Sequence, residues 1–408
     1  MDPILAEWGG LILRWTHIIT GIAWIGSSFY FMHIDAAMRA APDIPVGKGG
    51  EAWEVHGGGF YHVRKYLVAP EKLPDELIWH KWESYSTWVS GFFLLCWIYY
   101  LSSDLYLIDP AIRPLTSWQA AGIGIGGLVV GWVVYNFLVN SKLADNPVLL
   151  AAVGFAFIMA MAYFFQMMFS GRGALIHTGA LMATIMTGNV AMNIIPNTKK
   201  VIADLIAGRE PNPAYGKQAK TRSTHNNYLT LPVIFLMISG HYPLTFTSPH
   251  AWVIVGLVLV AGAIVRYFYN QRHAGKGNPW WTWGVAALAL LAAVFVSMLS
   301  NPIGRARLGL AAVDAPAAVA SAHVPAEVND VIISRCSMCH AAEPVWAGLA
   351  TAPKGILLDS PEQIARNAPL IMDQAVMTNA MPPNNITEIT REERHILAMW
   401  LATRSTHR

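Results

Sequence analysis

The segment "CSMCH", residues 336–340, is the part of the chain whose residue types and spacing most clearly indicate chemistry. Two cysteines separated by two residues, with a histidine directly after the second, form the pattern of covalent c-type haem attachment. Cys336 and Cys339 would bind the haem covalently, and His340 would ligate its iron. A zinc half-site is the alternative, but the third cysteine, Cys96, lies alone in an apolar run and completes no second pair. We therefore predict one haem c per chain.

The second axial ligand of such a haem is usually a methionine on a loop well downstream, and methionine ligation raises the haem potential. Met338 is too close in sequence to reach the other haem face. Met372, Met377 and Met381 are the remaining candidates. Met381 is the best of them because it is the first residue of "MPPNN". The two prolines that follow it stiffen the loop that must carry the sulfur. We predict Met381 as the ligand, with Met377 next.

Two helices are expected to enclose the loop-rich middle of residues 324–408. The first precedes the haem cysteines in "AEVNDVIISRCSMCH". The last opens with Thr390 and Glu393, which form a T-x-x-E capping box. An apolar stripe follows at Ile396, Leu397, Trp400 and Leu401. This arrangement resembles a small class I cytochrome c, whose first and last helices cross.

The composition indicates that such a domain is attached to a membrane protein. The 408 residues are 54% hydrophobic and only 13% charged, whereas an ordinary soluble domain is about 25% charged. The net charge of +3 is small and dispersed. We therefore expect membrane lipid as a partner of the chain, and no nucleic acid.

Eight apolar runs are long enough to cross a bilayer, which takes about 20 residues. They cover about 10–34, 84–101, 119–139, 148–169, 173–195, 228–246, 251–269 and 283–300. We predict an all-α fold, with a polytopic bundle of about eight transmembrane helices and a small class I cytochrome c-like domain. The expected division is a transmembrane domain at 1–302, an Ala/Pro-rich linker at 303–323, and a cytochrome c domain at 324–408.

The charges of the connecting loops predict the orientation of this bundle. Loops after the odd-numbered spans hold sixteen Lys and Arg residues, among which we count Arg222 and Arg266. Loops after the second, fourth and sixth spans hold only Arg113 and Arg172. Positive residues favour the cytoplasmic side, so both termini should be periplasmic at a bacterial inner membrane. Haem attachment to this motif is also a periplasmic process, so the two predictions agree.

Ionisable residues inside spans are candidates for function because burying them in lipid is costly. Arg14 and His17 lie in the outer third of the first span, His177 near the outer end of the fifth, and His241 near the outer end of the sixth. Two of these histidines could hold an additional membrane haem, or three a metal. The alternative is that each bonds a carbonyl or water near the interface.

A second polar set is expected at the cytoplasmic ends of the spans. Asn189, Asn193 and Asn197 are four residues apart and would share one helix face. The other members are His33, Asp35, His225, Asn226 and Asn227. Amides and imidazoles together suit a flat substrate that forms many hydrogen bonds. Helix capping and contacts between helices are the equally simple alternative.

Four stretches carry a resemblance to a known family: "HIITGIAWIGSSFYF", "HGGGFYHVRKY", "MTGNVAMNIIPNTKK" and "THNNYLTLPVIF". Fused to a C-terminal cytochrome c, they make the chain resemble the bacterial membrane-bound urate oxidases of purine degradation. The resemblance implies oxidation of urate to 5-hydroxyisourate, with electrons passed to cytochrome c and no peroxide formed. It also implies a downstream acceptor such as a soluble cytochrome c or a terminal oxidase. No catalytic residue is carried over from the family.

Two other functions are compatible with the residues. One is a respiratory subunit that takes electrons from quinol, which predicts a b-type haem in the membrane domain. The other is a tether that merely anchors a cytochrome. Eight spans with polar residues at matched depths exceed what an anchor needs.

Overall fold

The computed structural model describes residues 3–44, 49–67, 70, 72–300, 304–305, 308–310, 324–347, 349, 352–353 and 356–405. Most of the predicted linker, 303–323, lies outside the described residues. The three-domain division therefore stays a prediction, and the helical parts on either side are described below.

The N-terminal part is a helical bundle. Its helices are α1 (Pro3–Ala37), α2 (Trp82–Leu95), α3 (Ser103–Tyr106), α4 (Ser117–Asn140), α5 (Pro147–Met168), α6 (Gly171–Asn189), α7 (Ile195–Ile206), α8 (Pro213–Ser239), α9 (Pro243–Phe246), α10 (Ala251–His273) and α11 (Trp281–Leu299). Four predicted spans, 119–139, 148–169, 251–269 and 283–300, agree with α4, α5, α10 and α11 to within four residues at each end.

Five helices of the described residues are long and apolar enough to cross a membrane: α4, α5, α10, α11 and the continuous helix Gly171–Ile206. Three other predicted spans also coincide with helices. The first lies within α1, which has 35 residues, and the second within α2 and the π-helical turn Cys96–Tyr100 that continues it. The sixth differs most, because α8 begins fifteen residues before the predicted 228 and ends at Ser239. Its first half is polar, which is why hydropathy alone misplaced it.

Glycines let α4 approach its neighbours. A Cβ on Gly127 would lie 2.6 Å from the Phe165 ring of α5, and one on Gly131 would lie 2.6 Å from Leu181 of α6. Small residues that bring backbones together are typical of helix packing in membranes. Gly122 and Gly126, which share the same four-residue spacing, face open space.

A β-hairpin between α1 and α2 departs from the all-α prediction. Strand β1 (Gly49–His56) pairs antiparallel with β2 (Gly59–Tyr66). Gly57 and Gly58 connect them with φ values of 58° and 81°. Two-residue hairpin turns of this kind need positive φ, which glycine adopts without strain. The "HGGG" sequence is therefore a turn, and the described part of the chain is mostly helical with one hairpin.

A π-helical turn, Val190–Ile194, interrupts the long helix between α6 and α7. A π turn holds more residues than an α turn and rotates the following side chains. Asn189 and Asn197 each bond a residue of α8, Asn226 and Gln218 respectively. The Oδ1 atom of Asn193 is buried and has no hydrogen-bond partner among the described residues.

The C-terminal part has its own apolar core. Its helices are α12 (Ala326–Arg335), α13 (Pro361–Arg366), α14 (Ala368–Ile371) and α15 (Arg391–Ser405). The first and last of them contact each other, and Ile332 and Leu397 between them are fully buried. The capping box is present, because the Thr390 Oγ1 atom accepts from the Glu393 N–H and the Glu393 carboxylate accepts from the Thr390 N–H. Glu393 also pairs with Arg335 of α12 at 3.0 Å.

The loop after α14 brings the two parts into contact. The short 3₁₀ helix Pro383–Asn385 contacts α3 of the bundle. Ala380, from the same loop, joins the buried apolar cluster of the bundle that contains Leu107 and Phe246. The loop that carries Met381 therefore rests against the end of the bundle at which α2 ends and α6 begins.

Candidate functional site

The turn after α12 presents the CSMCH residues. The Cys339 and His340 N–H groups both donate to the Cys336 carbonyl, at 3.1 and 3.0 Å. Cys336 packs against the apolar core of the C-terminal part. Both sulfurs are free thiols, as covalent haem attachment requires.

The His340 ring is oriented by the backbone. Its Nδ1 atom lies 2.9 Å from the Ile356 carbonyl oxygen, and because a carbonyl only accepts, Nδ1 carries the proton. The Nε2 atom is then left with its lone pair, which is the arrangement of an iron ligand fixed by an outer hydrogen bond. Free thiols, an oriented imidazole and an apolar core fit a c-type haem.

A zinc site fits these residues less well. Zinc requires about four ligands at tetrahedral positions. The described residues include Cys336, Cys339 and His340. Among the described residues, no three His, Cys, Asp or Glu side chains are placed to hold a metal ion together.

Burial keeps both thiols protonated. It raises the pKa of the Cys336 thiol to about 12 and also raises the pKa of the Cys339 thiol. A thiolate is the reactive form toward metals and disulfides.

Arg394 of α15 holds the Met381 loop. Its guanidinium donates to the Met381 carbonyl at 2.9 Å, to the Ala375 carbonyl, and to the Asn385 side chain at 3.3 Å. The Met381 N–H donates to the Gln374 carbonyl at 2.9 Å. Met381 is half-buried, and its backbone is fixed on both sides, as a loop that positions a ligand must be. Its ligation stays a prediction.

His177 is the only one of the four predicted bundle residues that is fully buried. Its Nδ1 atom lies 2.8 Å from the Gly173 carbonyl, and its Nε2 atom lies 3.1 Å from the Tyr100 hydroxyl. Since Nδ1 must donate, Nε2 accepts from the tyrosine. Gly124 of α4 makes room for this pair, because a Cβ there would lie 2.6 Å from both Nε2 and the hydroxyl.

The other three residues have different environments. His17 is half-buried, with its Nδ1 atom 3.0 Å from the Thr87 carbonyl. Arg14 and His241 are exposed in the isolated chain, and His241 lies just beyond the end of α8. Among the described residues these histidines form no group that could hold a metal. An additional haem or metal in the bundle stays a prediction without support from the geometry.

Aromatic rings connect His177 to the end of the bundle that contacts the Met381 loop. The Tyr99 ring lies 6.4 Å from the His177 ring and 6.2 Å from the Tyr106 ring, measured between centroids. Tyr106 belongs to α3, the helix that Pro383–Asn385 contacts. The chain of rings therefore ends close to the C-terminal part.

A polar network fills the space between α4, α6 and the first half of α8. At its centre is Arg222, which is 1% exposed. Its guanidinium donates to the side-chain oxygens of Asn189 at 3.1 Å, Asn136 at 2.7 Å and Asn140 at 3.2 Å. It also lies 5.3 Å from the Tyr135 ring centroid. Arg222 forms no ion pair with a carboxylate in the described part of the chain.

The direction of every hydrogen bond in this network follows from Arg222, which can only donate. Asn189 accepts from it through Oδ1, so its Nδ2 group donates to Asn226 Oδ1 and to the Tyr135 hydroxyl, both at 2.9 Å. The Tyr135 oxygen thus accepts, and its own proton points to His225 Nδ1 at 2.8 Å. A neutral His225 then carries its proton on Nε2.

A second buried arginine lies on the other side of α8. Arg266 of α10 is 7% exposed, and its guanidinium lies 4.1 Å from the Phe29 ring centroid. It donates to Asn227 Oδ1 at 3.3 Å and to Asn270 Oδ1 at 3.5 Å. The Asn227 Nδ2 group is buried and has no hydrogen-bond partner among the described residues.

The amides of the predicted inner set are therefore brought together, but around arginines that hydropathy predicts as loop charges. Arg222 and Arg266 were two of the sixteen positive residues assigned to cytoplasmic loops. Both lie inside helices and are buried. The signal that could have identified them is their spacing: Arg222 lies four residues before Asn226, and Arg266 four before Asn270. His33 and Asp35 lie elsewhere, stacked on His273 and paired with Lys65.

Comparison with known proteins identifies the N-terminal part. The model of a family described as "Urate oxidase N-terminal" matches residues 3–297. No curated protein and no solved structure matches the chain.

Proposed function

Because the chain belongs to the urate oxidase N-terminal family, we propose that it is a membrane-bound oxidoreductase that converts urate to 5-hydroxyisourate. We further propose that the electrons pass to a haem c bound to its own C-terminal domain. The observation that carries the proposal is the presence, in one chain, of this family over residues 3–297 and a CSMCH turn with an oriented histidine.

The reaction balances with water as the source of oxygen. Urate and one water give 5-hydroxyisourate, two protons and two electrons, with a C–O bond formed at the purine C5. Residues Cys336, Cys339, His340 and Met381 would hold a haem c, which supplies a one-electron acceptor with a raised potential. Each urate therefore requires two electron transfers, and no peroxide is formed.

We propose eight membrane spans, with both termini in the bacterial periplasm. The five apolar helices would be joined by α1, by α2 with its π-helical turn, and by α8. Removing Arg222 and Arg266 from the sixteen loop charges leaves fourteen on the cytoplasmic side, against Arg113 and Arg172 on the other. The positive-inside bias therefore still favours this orientation.

The contact between the two parts supports electron transfer within the chain. In the proposed topology, α3 lies at the periplasmic end of the bundle, on the side of the haem domain. The Met381 loop rests on α3, and Tyr106, Tyr99 and His177 extend from there into the bundle. These rings form the proposed path of the electrons. From the haem they would pass to a soluble cytochrome c or a terminal oxidase.

The test compares the full chain with a chain that lacks residues 324–408, both purified from the membrane. We expect the full chain to consume urate with a cytochrome acceptor and to release no peroxide. The truncated chain should bind urate but turn it over only with an added acceptor. Stoichiometric peroxide from the truncated chain with oxygen would contradict the proposal, because electrons would then pass directly from the bundle to oxygen. Haem reduction by quinol but not by urate would instead favour the quinol-linked function.

A further inference from the structure

A guanidinium that is buried without an anion is an unusual feature of a membrane bundle. Transfer of a charge from water into such an interior costs several kcal/mol unless an opposite charge compensates it. The three amide oxygens around Arg222 satisfy N–H groups but carry no net charge. Arg222 therefore retains an uncompensated positive charge that an anionic ligand would neutralise.

The network also offers a hydrogen-bond donor beside this charge. Three of the five Arg222 N–H groups donate to Asn136, Asn140 and Asn189. The Tyr135 side chain forms a further hydrogen bond with Arg222. His225 adds an Nε2–H, since its Nδ1 atom accepts from Tyr135. A cation with an imidazole N–H nearby suits a ligand that is negative and rich in acceptors.

The network is less buried on one side than on the other. Arg222, Asn189 and Asn226 are buried, whereas Tyr135 and His225 are half-buried. A ligand that reaches Tyr135 and His225 would meet a flat aromatic ring and an imidazole before it reaches the charge. An aromatic ring and an imidazole are suited to contact with a planar heterocycle.

From these observations we propose that Arg222 and His225 bind the substrate as an anion, between α4, α6 and α8. The inference rests on the proposed function, in which the substrate is urate, a planar oxopurine that is mostly a monoanion at neutral pH. Asn189 and Tyr135 are positioning residues, because they hold Arg222 and His225 through the network and need not touch the ligand.

The position has a consequence for the electron path. Asn189 lies twelve residues after His177 on α6, which corresponds to about 18 Å along the helix axis. In the proposed topology the substrate site is in the cytoplasmic half of the bundle, and His177 is toward the periplasm. Electrons must cover this distance before they reach the rings at Tyr99 and Tyr106.

The experiment measures anaerobic equilibrium binding of radiolabelled urate to the full chain, with the haem reduced in advance so that turnover cannot occur. Arg222→Gln removes the charge, Arg222→Lys retains it, and Arg266→Gln is the matched control at the other buried arginine. We expect Arg222→Gln to weaken binding roughly 30-fold or more. Arg222→Lys should weaken it less, and Arg266→Gln should bind as the unaltered chain does.

A second ligand tests the role of the charge. Xanthine has a similar planar ring but is largely neutral at pH 7, so the unaltered chain should prefer urate and Arg222→Gln should lose this preference. If Arg222→Gln does not fold, as judged by thermal unfolding and the haem spectrum, His225→Phe carries the test. It should weaken urate binding several-fold, and unchanged binding would overturn the proposal.

The outcomes separate this inference from the proposed function. Urate binding that is equal in the unaltered chain and in Arg222→Gln would overturn the site while leaving urate as the substrate. Loss of binding in Arg266→Gln alone would place the site on the other side of α8 and also overturn it. Absence of urate binding to the unaltered chain would instead contradict the proposed function.

Discussion

Replacing Gly124 by alanine tests whether the His177–Tyr100 pair matters for the bundle. A Cβ at Gly124 would lie 2.6 Å from both the His177 Nε2 atom and the Tyr100 hydroxyl, whereas ordinary contacts begin at 3.4 Å. Both groups must therefore move by about 0.8 Å. Because helices pack on three sides of His177, whose side chain is fully buried, the strain cannot be relieved by rotation into solvent.

The expected cost follows from three contributions. Overpacking of a close-packed interior costs about 1–3 kcal/mol, and disruption of the Tyr100–His177 hydrogen bond about 1 kcal/mol more. Alanine recovers up to about 1 kcal/mol of helix propensity relative to glycine. We therefore expect Gly124→Ala to lower the free energy of unfolding by about 1–3 kcal/mol.

Gly126→Ala provides the matched control on the same helix. A Cβ at Gly126 meets nothing within 4 Å, so only the propensity gain applies. The assay is thermal unfolding in lipid nanodiscs, followed by the rate of haem reduction by urate. We expect Gly124→Ala to unfold earlier and to reduce the haem more slowly than Gly126→Ala. Equal stability and equal rates in the two variants would refute both the packing argument and the place of His177 on the electron path.

The remaining predictions concern the C-terminal part. Glu393→Gln should lower stability by about 1 kcal/mol at pH 7, because it weakens the cap of α15 and the pair with Arg335. Burial alone would raise the Glu393 pKa, but the Thr390 N–H and Arg335 lower it, so this stabilisation is present above the unfolded pKa and is lost as pH falls through the folded one. Thermal unfolding at neutral and acidic pH should show the difference between the variants only at neutral pH. Met381→Ala should keep the haem attached and lower its potential in a redox titration, and an unchanged potential would transfer the ligand assignment to another methionine. Replacing Cys336 and Cys339 together by alanine should abolish the haem stain of the denatured chain on a gel, and a persistent stain would refute the attachment site.

Periodicity and capping signals were sufficient for much of the helical structure. The capping box at Thr390 and Glu393 was correctly located because its two hydrogen bonds are local in sequence. The spans at α4, α5, α10 and α11 were located because each contains a long stretch of high mean hydropathy. In contrast, α8 was misplaced, since its first half is polar; this half packs with the rest of α8 against the bundle, where α8 contacts α6 and α10.

The inner polar network could be predicted only in part. The asparagines were identified from their spacing, but the π-helical turn Val190–Ile194 depends on tertiary packing and changes which of them face α8. Arg222 was assigned to a loop because the predicted sixth span began only at residue 228. Its burial depends on amides of α4 and α6, which lie more than thirty residues away in sequence.

Electrons from urate are proposed to enter a haem on the same chain, and an anaerobic titration measures this transfer. Urate is added in small portions to the purified, oxidised full chain, and the reduced haem c band is recorded after each addition. We predict that every urate consumed reduces two haems, with 5-hydroxyisourate as the product. A haem that stays oxidised while urate is consumed, or a chain that carries no covalent haem, would contradict the account.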